Sequence, residues 1–285
     1  MRAWWQDLMD LVVPSECAGC GRSRTVLCAV CSAALHGRPP RRVRPLPEPP
    51  GLPEVHAAAP YGDAVRALLL AHKERGALVL ARPLGSALAG AVRAACGARG
   101  GAAGAVPVVL VPVPSARRVV RARGHDPVRR IALAAAAELR RAGRPARVLA
   151  VLRQRRPVAD QSGLDARRRG ANLAGALEVT PGAHELLRAA ETAGRSGPAG
   201  RVVLVDDLVT TGFTLAEAAR ALSEAGVERG TSAAVVAAAP DSLGALDAGG
   251  AARAAPLAGG RAVRAGMFEG RITAGGERVG GPEGR

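Results

Sequence analysis

Residues Arg201 to Leu215 read RVVLVDDLVTTGFTL. Val202, Val203, Leu204 and Val205 form a short apolar and mostly β-branched run, the pattern of a strand buried on both faces. Two adjacent carboxylates, Asp206 and Asp207, end that run. Three hydroxyls and a glycine follow (Thr210, Thr211, Gly212 and Thr214), and a helical pattern opens at Leu215. A helix start offers unpaired backbone N–H groups and a positive dipole end to a phosphate. The threonine hydroxyls add donors, and Gly212 lets the backbone close around an anion. The acidic pair suits a sugar, because carboxylates accept hydrogen bonds from vicinal hydroxyls. A plain polar loop capped by Thr214 would account for one threonine and one aspartate, but not for the rest. The stretch reads as a phosphosugar cradle.

Outward from the cradle, helical and strand patterns alternate. Gly62 to about Cys96 reads as helix with a break near Gly76 and Pro83, and VPVVLVPV (Val106–Val113) as a buried strand ended by prolines. Pro127–Ala142 reads as a helix, Arg147–Leu152 as a strand, Leu215–Ala225 as a helix closed by Gly226, and Ser232–Ala238 as a last strand. Alternation of this kind predicts an α/β fold, a mainly parallel sheet with helices on both faces. Ligands of such sheets bind outside the carboxyl ends of the strands, where Asp206 to Thr214 would lie. The expected organisation is an N-terminal cysteine module over residues 1–36, a Pro-rich semi-rigid linker over 37–54, the α/β domain over 55–240, and a Gly/Ala-rich, loosely ordered tail over 241–285.

Composition narrows the class. At 285 residues the chain can bury a sizeable core, and with aromatics at 2% that core must be Ala, Val and Leu. The formal charge of +16 invites a nucleic-acid reading. Lys73 is the only lysine, however, and the Ala, Gly, Pro and Arg excess has the look of a GC-rich coding sequence. Aromatic side chains for base stacking are nearly absent. No stretch reads as ~18 uncharged apolar residues able to span a membrane. The start, MRAWWQDLMDLVVP, does not read as a signal peptide, so a cytoplasmic protein is the expectation.

Four cysteines then need a reason other than disulfides. Cys17, Cys20, Cys28 and Cys31 form two CxxC pairs, an arrangement that presents four thiolates for tetrahedral structural Zn²⁺. The seven residues between the pairs are fewer than in common zinc ribbons but suffice for a small hairpin. Cys96 reads as a buried apolar residue, and among the histidines only His125 is a plausible site residue.

Two arginine clusters follow two of the other strands. Arg117, Arg118, Arg121 and Arg123 precede Gly124-His125-Asp126, and Arg153, Arg155 and Arg156 are followed later by Arg167, Arg168 and Arg169. If the strands are neighbours, both clusters open on the edge that carries the acidic pair. Guanidinium forks there would surround a polyphosphate.

The cradle resembles the 5-phosphoribosyl-1-pyrophosphate (PRPP) loop of the type I phosphoribosyltransferases, an apolar run followed by DD–xxTTG–xT. The order YGDAVRALLLAHKERG, VPVPSARRVVRARGHDP, RPVADQSGLDARRRGAN and VVLVDDLVTTGFTL is similar to the ComF family, competence-associated phosphoribosyltransferase-like proteins that include the GntX type, from about Cys17 to Val236. The family's RGFNQ-like motif stands here as Arg123-Gly124-His125-Asp126-Pro127, and Glu74 follows Lys73 where an aromatic is usual. The resemblance implies a pyrophosphate loop at Val111–Ser115 and a mobile loop from Arg155 to Asn172, where Gln161, Arg169 and Asn172 match the family pattern. Pro114, Ser115, Arg123, Gly124, Arg169 and Lys73 are the pyrophosphate and loop candidates.

Two functions follow as expectations. The first is a phosphoribosyltransferase: Asp206 and Asp207 hold the ribose and include the proton acceptor, Thr210, Thr211, Gly212 and Thr214 hold the 5′-phosphate, and Mg²⁺ accompanies PRPP on its way to an unidentified acceptor. The second is a non-catalytic PRPP or nucleotide sensor, or a single-stranded DNA-binding accessory of DNA uptake. Partners under that reading are single-stranded DNA or uptake machinery, and a homo-oligomer fits either reading.

Overall fold

The computed structural model describes residues 16–97, 106–156, 172–192, 200–227 and 231–242. The expected tail, apart from a short turn at Pro240–Ser242, lies outside them, as do Gln161 and Arg167 to Arg169. The helices are α1 (Ala29–His36), α2 (Asp63–Glu74), α3 (Ala81–Ala95), α4 (Arg117–Arg123), α5 (Pro127–Arg141), α6 (Ala183–Thr192) and α7 (Phe213–Glu224). The strands are β1 (Arg41–Val43), β2 (Glu54–Pro60), β3 (Val108–Pro112), β4 (Ala146–Val148), β5 (Leu152–Gln154), β6 (Leu177–Val179), β7 (Arg201–Val209) and β8 (Ser232–Ala238).

Six strands form one sheet in the order β1-β2-β8-β7-β3-β4. All neighbours are parallel except β1, which pairs antiparallel with β2 at the edge. The central strands β3, β7 and β8 are the continuous Val, Leu and Ala runs that burial on both faces requires. One face packs Val203, Val205, Ala234 and Val236 against α2, α3 and α5. The other packs Val202, Leu204, Ala233 and Val235 against α6, α7 and the β5–β6 ribbon. The expected α/β architecture is therefore present.

Small residues set the packing. A Cβ on Gly85 of α3 would lie 2.5 Å from the Ala134 Cβ of α5, so these helices meet backbone to backbone. Leu78–Ala95 reaches a mean hydropathy of 1.2 over 18 residues, enough to cross a membrane by length and composition alone. The window holds Arg82 and Arg93, so it is not an uncharged stretch, and 56% of it is buried, as befits a core helix.

Three local readings need correction. Pro83 does not break a helix; it sits in the first turn of α3, where its missing N–H costs nothing, and the break falls at Gly76. Arg147–Leu152 is not one strand. Ala146–Val148 closes the main sheet, and Leu152–Gln154 joins Leu177–Val179 in a separate antiparallel ribbon. The stretch 37–54 is more than a linker, because it supplies the edge strand β1 and buries Val43.

Candidate functional site

β7 does not stop at the acidic pair; it runs through Asp206 and Asp207 to Val209. Successive strand residues point to opposite faces, so the two carboxylates occupy different surroundings. Asp207 follows Val203 and Val205 toward the α2 face, is 7% exposed, and accepts a hydrogen bond from Lys73 Nζ at 2.9 Å. Burial pulls the Lys73 ammonium down, but Asp207 and Asp206 push it up by more, and its pKa is raised. Among the described residues Asp206 has no such cation and accepts the Asp207 N–H at 2.8 Å. Burial, with the like charge of Asp207 beside it, pushes its carboxyl well above the usual carboxylate range. The pair thus divides into a carboxylate neutralised by the only lysine and a carboxyl that takes a proton readily.

The cradle follows directly. Gly212 is the N-cap of α7 at φ 77°, a left-handed conformation, and no side chain caps the helix. The first-turn N–H groups are left for an anion, with Thr210, Thr211 and Thr214 around them. A Cβ at Gly212 would lie 3.1 Å from Leu52 Cδ1 and 3.2 Å from Pro45 Cγ. The space gained by the missing side chain thus admits the proline-rich stretch behind the turn. Ser242 Oγ donates to Thr210 O at 2.6 Å, and Arg44 N donates to Ser242 O at 2.8 Å. The turn is held from behind on two sides.

Three consecutive residues at the end of α2 reach three separate segments. His72 places Nε2 3.4 Å from Pro127 O, Lys73 takes Asp207, and Glu74 accepts two hydrogen bonds from Arg123, one of them at 2.9 Å. Arg123 is thereby engaged with Glu74, while Gly124 ends α4 in a left-handed turn. The His125 ring lies between the carbonyls of Arg123 and His72, 3.2 Å from each, and 5.6 Å from the His72 ring.

Pro114 and Ser115 lie two and three residues beyond the end of β3. Val113 N donates to Val205 O at 2.9 Å, which sets them level with the acidic pair. Beyond them the two arginine clusters converge. Arg117 and Arg118 share one cavity of about 470 Å³ with Arg153, Arg155, Arg156 and Glu178. Arg153 is paired with Glu178 at 2.8 Å, and Arg156 donates to the carbonyls of Asn172 and Ala174 at 2.9 Å. Among the described residues Arg117, Arg118 and Arg155 have no such partner, so three guanidiniums remain for an anion. Arg121 is not part of this lining.

The four cysteine Sγ atoms of Cys17, Cys20, Cys28 and Cys31 lie within 4.8 Å of one another and form no disulfide. Cys17 Sγ accepts the Cys28 N–H at 3.3 Å, and Cys28 Sγ accepts the Cys31 N–H at 3.5 Å. Burial raises the Cys17 thiol, yet the N–H groups of Cys28, Gly19 and Cys20 bring it down to about 6. Cys28 is also lowered, first by the Cys31 N–H, whereas burial raises Cys31. Converging thiols with N–H donors on sulfur fit a closed structural Zn²⁺ site. The second knuckle is the start of α1, with Cys28 as its N-cap.

Glu217 is not legible as a partnered residue in the sequence. A glutamate on an amphipathic helix reads as solvated, yet this one is 6% exposed. Its only sequence signal is Arg220 three residues on.

No curated protein sequence matches the chain. Residues 142–249 match the family model described as "Phosphoribosyl transferase domain". That span runs from β4 through β8 and holds the acidic pair, the cradle and the β5–β6 ribbon. Within the α/β unit, residues 142–249, with Asp206 to Thr214 among them, are similar to a phosphoribosyl transferase domain.

Proposed function

We propose that the chain binds PRPP with Mg²⁺ at the carboxyl ends of β7 and β3 and transfers the phosphoribosyl group to an acceptor, with release of pyrophosphate. One observation carries this reading: the uncapped helix start, the split acidic pair and the arginine cavity lie along one sheet edge. The N–H groups and threonine hydroxyls around Gly212 hold the 5′-phosphate. Asp206 and Asp207 accept hydrogen bonds from the ribose hydroxyls, and Lys73 holds Asp207 in place at 2.9 Å. Arg117, Arg118 and Arg155 meet the pyrophosphate as its charge grows on leaving. Mg²⁺ would supply further charge neutralisation between pyrophosphate and ribose. As positive charge develops at C1, the nearby carboxylates stabilise it. Asp206, with its raised pKa, is the better proton acceptor for the incoming group.

Isothermal titration with PRPP and Mg²⁺ tests the reading. Wild type should give heat, and Asp206→Ala/Asp207→Ala should give none. Absence of heat from wild type, or equal heats from both, would refute it.

A second reading draws on the same cavity. Its arginines and the absence of aromatic side chains from its lining suit a nucleic-acid backbone rather than bases. Together with the ComF resemblance, this supports a single-stranded DNA-binding accessory role. Binding with a steep salt dependence that PRPP leaves unchanged would favour it.

A further inference from the structure

Glu217 and Arg220 lie on α7, the helix that begins at the phosphate cradle, and both reach the ribbon that carries three of the cavity arginines. Glu217 Oε1 accepts the Leu177 N–H at 2.9 Å, and Arg220 Nη2 donates to Leu177 O at 2.9 Å. The two side chains are locked together at 2.8 Å through both carboxylate oxygens, and Arg220 also pairs with Glu224. Leu177 stands opposite Gln154 in the ribbon, so the pair occupies the free edge of β6 and satisfies both its donor and its acceptor. Burial raises the Glu217 carboxyl, but hydrogen bonds from Arg220 and from the Leu177 and Gly175 backbone bring it below its ordinary value.

A strand edge needs no buried ion pair for satisfaction; water or another strand would serve. Burying a carboxylate is costly unless its geometry is fixed, and what this geometry fixes is a distance. Glu217 is five residues from Gly212, about 7.5 Å along a rigid helix. At the other end, Arg153, Arg155 and Arg156 sit on β5 and the turn that follows. Arg156 closes the ribbon by donating to Asn172 O and Ala174 O.

We propose that Glu217 and Arg220 are positioning residues that set the arginine-bearing ribbon at a fixed distance from the phosphate cradle, so that one ligand reaches both. The proposal rests on the phosphosugar reading above. The pair lies outside the lining of the arginine cavity and acts through the ribbon.

The test uses the full chain, with Arg220→Met and Glu217→Gln examined separately. Isothermal titration measures ribose 5-phosphate, which engages the cradle, and inorganic pyrophosphate with Mg²⁺, which engages the arginines. Ribose 5-phosphate affinity should stay within about twofold of wild type, while the pyrophosphate Kd rises about tenfold in both variants. Arg220→Lys should recover little, because an ammonium cannot bridge a carboxylate and a carbonyl as a planar fork does. Thermal midpoints are recorded alongside. Unchanged pyrophosphate binding overturns the proposal. So does equal loss of both ligands with a lowered midpoint, which would make the pair merely structural. A wild type that binds neither ligand overturns the phosphosugar reading, and the proposal with it.

Discussion

Replacing Lys73 by Met leaves Asp207 buried without its cation. At 2.9 Å the two charges attract by about 6 kcal/mol with an effective dielectric of ~20. Desolvation offsets much of this, and the Lys73 side chain is 34% exposed, so solvent screens the pair. We expect a net loss of about 2 kcal/mol, below the 3–5 found when a fully buried pair is broken. For a domain of this size that lowers the thermal midpoint by about 4–8 °C. The lysine pKa is raised, so its stabilisation is complete below the ordinary value of 10.5 and fades only as pH rises through its higher folded value. The gap between wild type and variant should therefore hold through neutral and mildly alkaline pH. A double-mutant cycle with Asp207→Asn isolates the pair. In the Asp207→Asn background Lys73→Met should cost about 0.5 kcal/mol or less. An equal cost in both backgrounds would refute the pairing.

Three further outcomes are expected. Asp206→Asn should raise stability at neutral pH by on the order of 1 kcal/mol while abolishing PRPP heat, because a carboxyl with a raised pKa destabilises the fold increasingly as pH climbs through that value; chemical denaturation at pH 5 and pH 8 measures both the sign and the trend. Gly212→Ala forces a side chain into a φ of 77° and against Leu52 and Pro45, for about 1–3 kcal/mol of destabilisation and weaker PRPP binding. Elemental analysis should find one Zn²⁺ per chain, and Cys17→Ser should lose it with a lowered thermal midpoint, since the ion stabilises a small module directly.

The strand at Val202–Val205 and the turn around Gly212 were legible because continuous apolar runs and hydroxyl-rich βα turns are local patterns. The passage of β7 through Asp206 and Asp207 was not, since adjacent charges mark a strand's end unless a buried one finds a partner. That partner, Lys73, lies 134 residues away in sequence. Lys73 stood out by rarity alone, and rarity carries no address. The meeting of the arginine clusters could be framed only as conditional on β3 and β4 being neighbours, which they are. Three-residue strands such as β4 and β5 fall below the length at which alternation can be read. Glu217 was missed for the same reason as Lys73: the Leu177 N–H that justifies its burial is forty residues distant.

The contacts of Pro45 and Leu52 with Gly212 bear on how this protein can be divided and varied. Surface connections ordinarily tolerate changes of length at little cost. Residues 44–52 cannot share that freedom, because a deletion there would withdraw the backing of the turn at Gly212. A chain begun at Val55, the boundary that composition suggests, would keep every residue proposed to touch the phosphosugar and still lose the shape of their support. Substitutions at positions 45, 52 and 212 should accordingly be accepted in concert rather than singly. The unit of inheritance for this site is wider than the segment that holds its ligands.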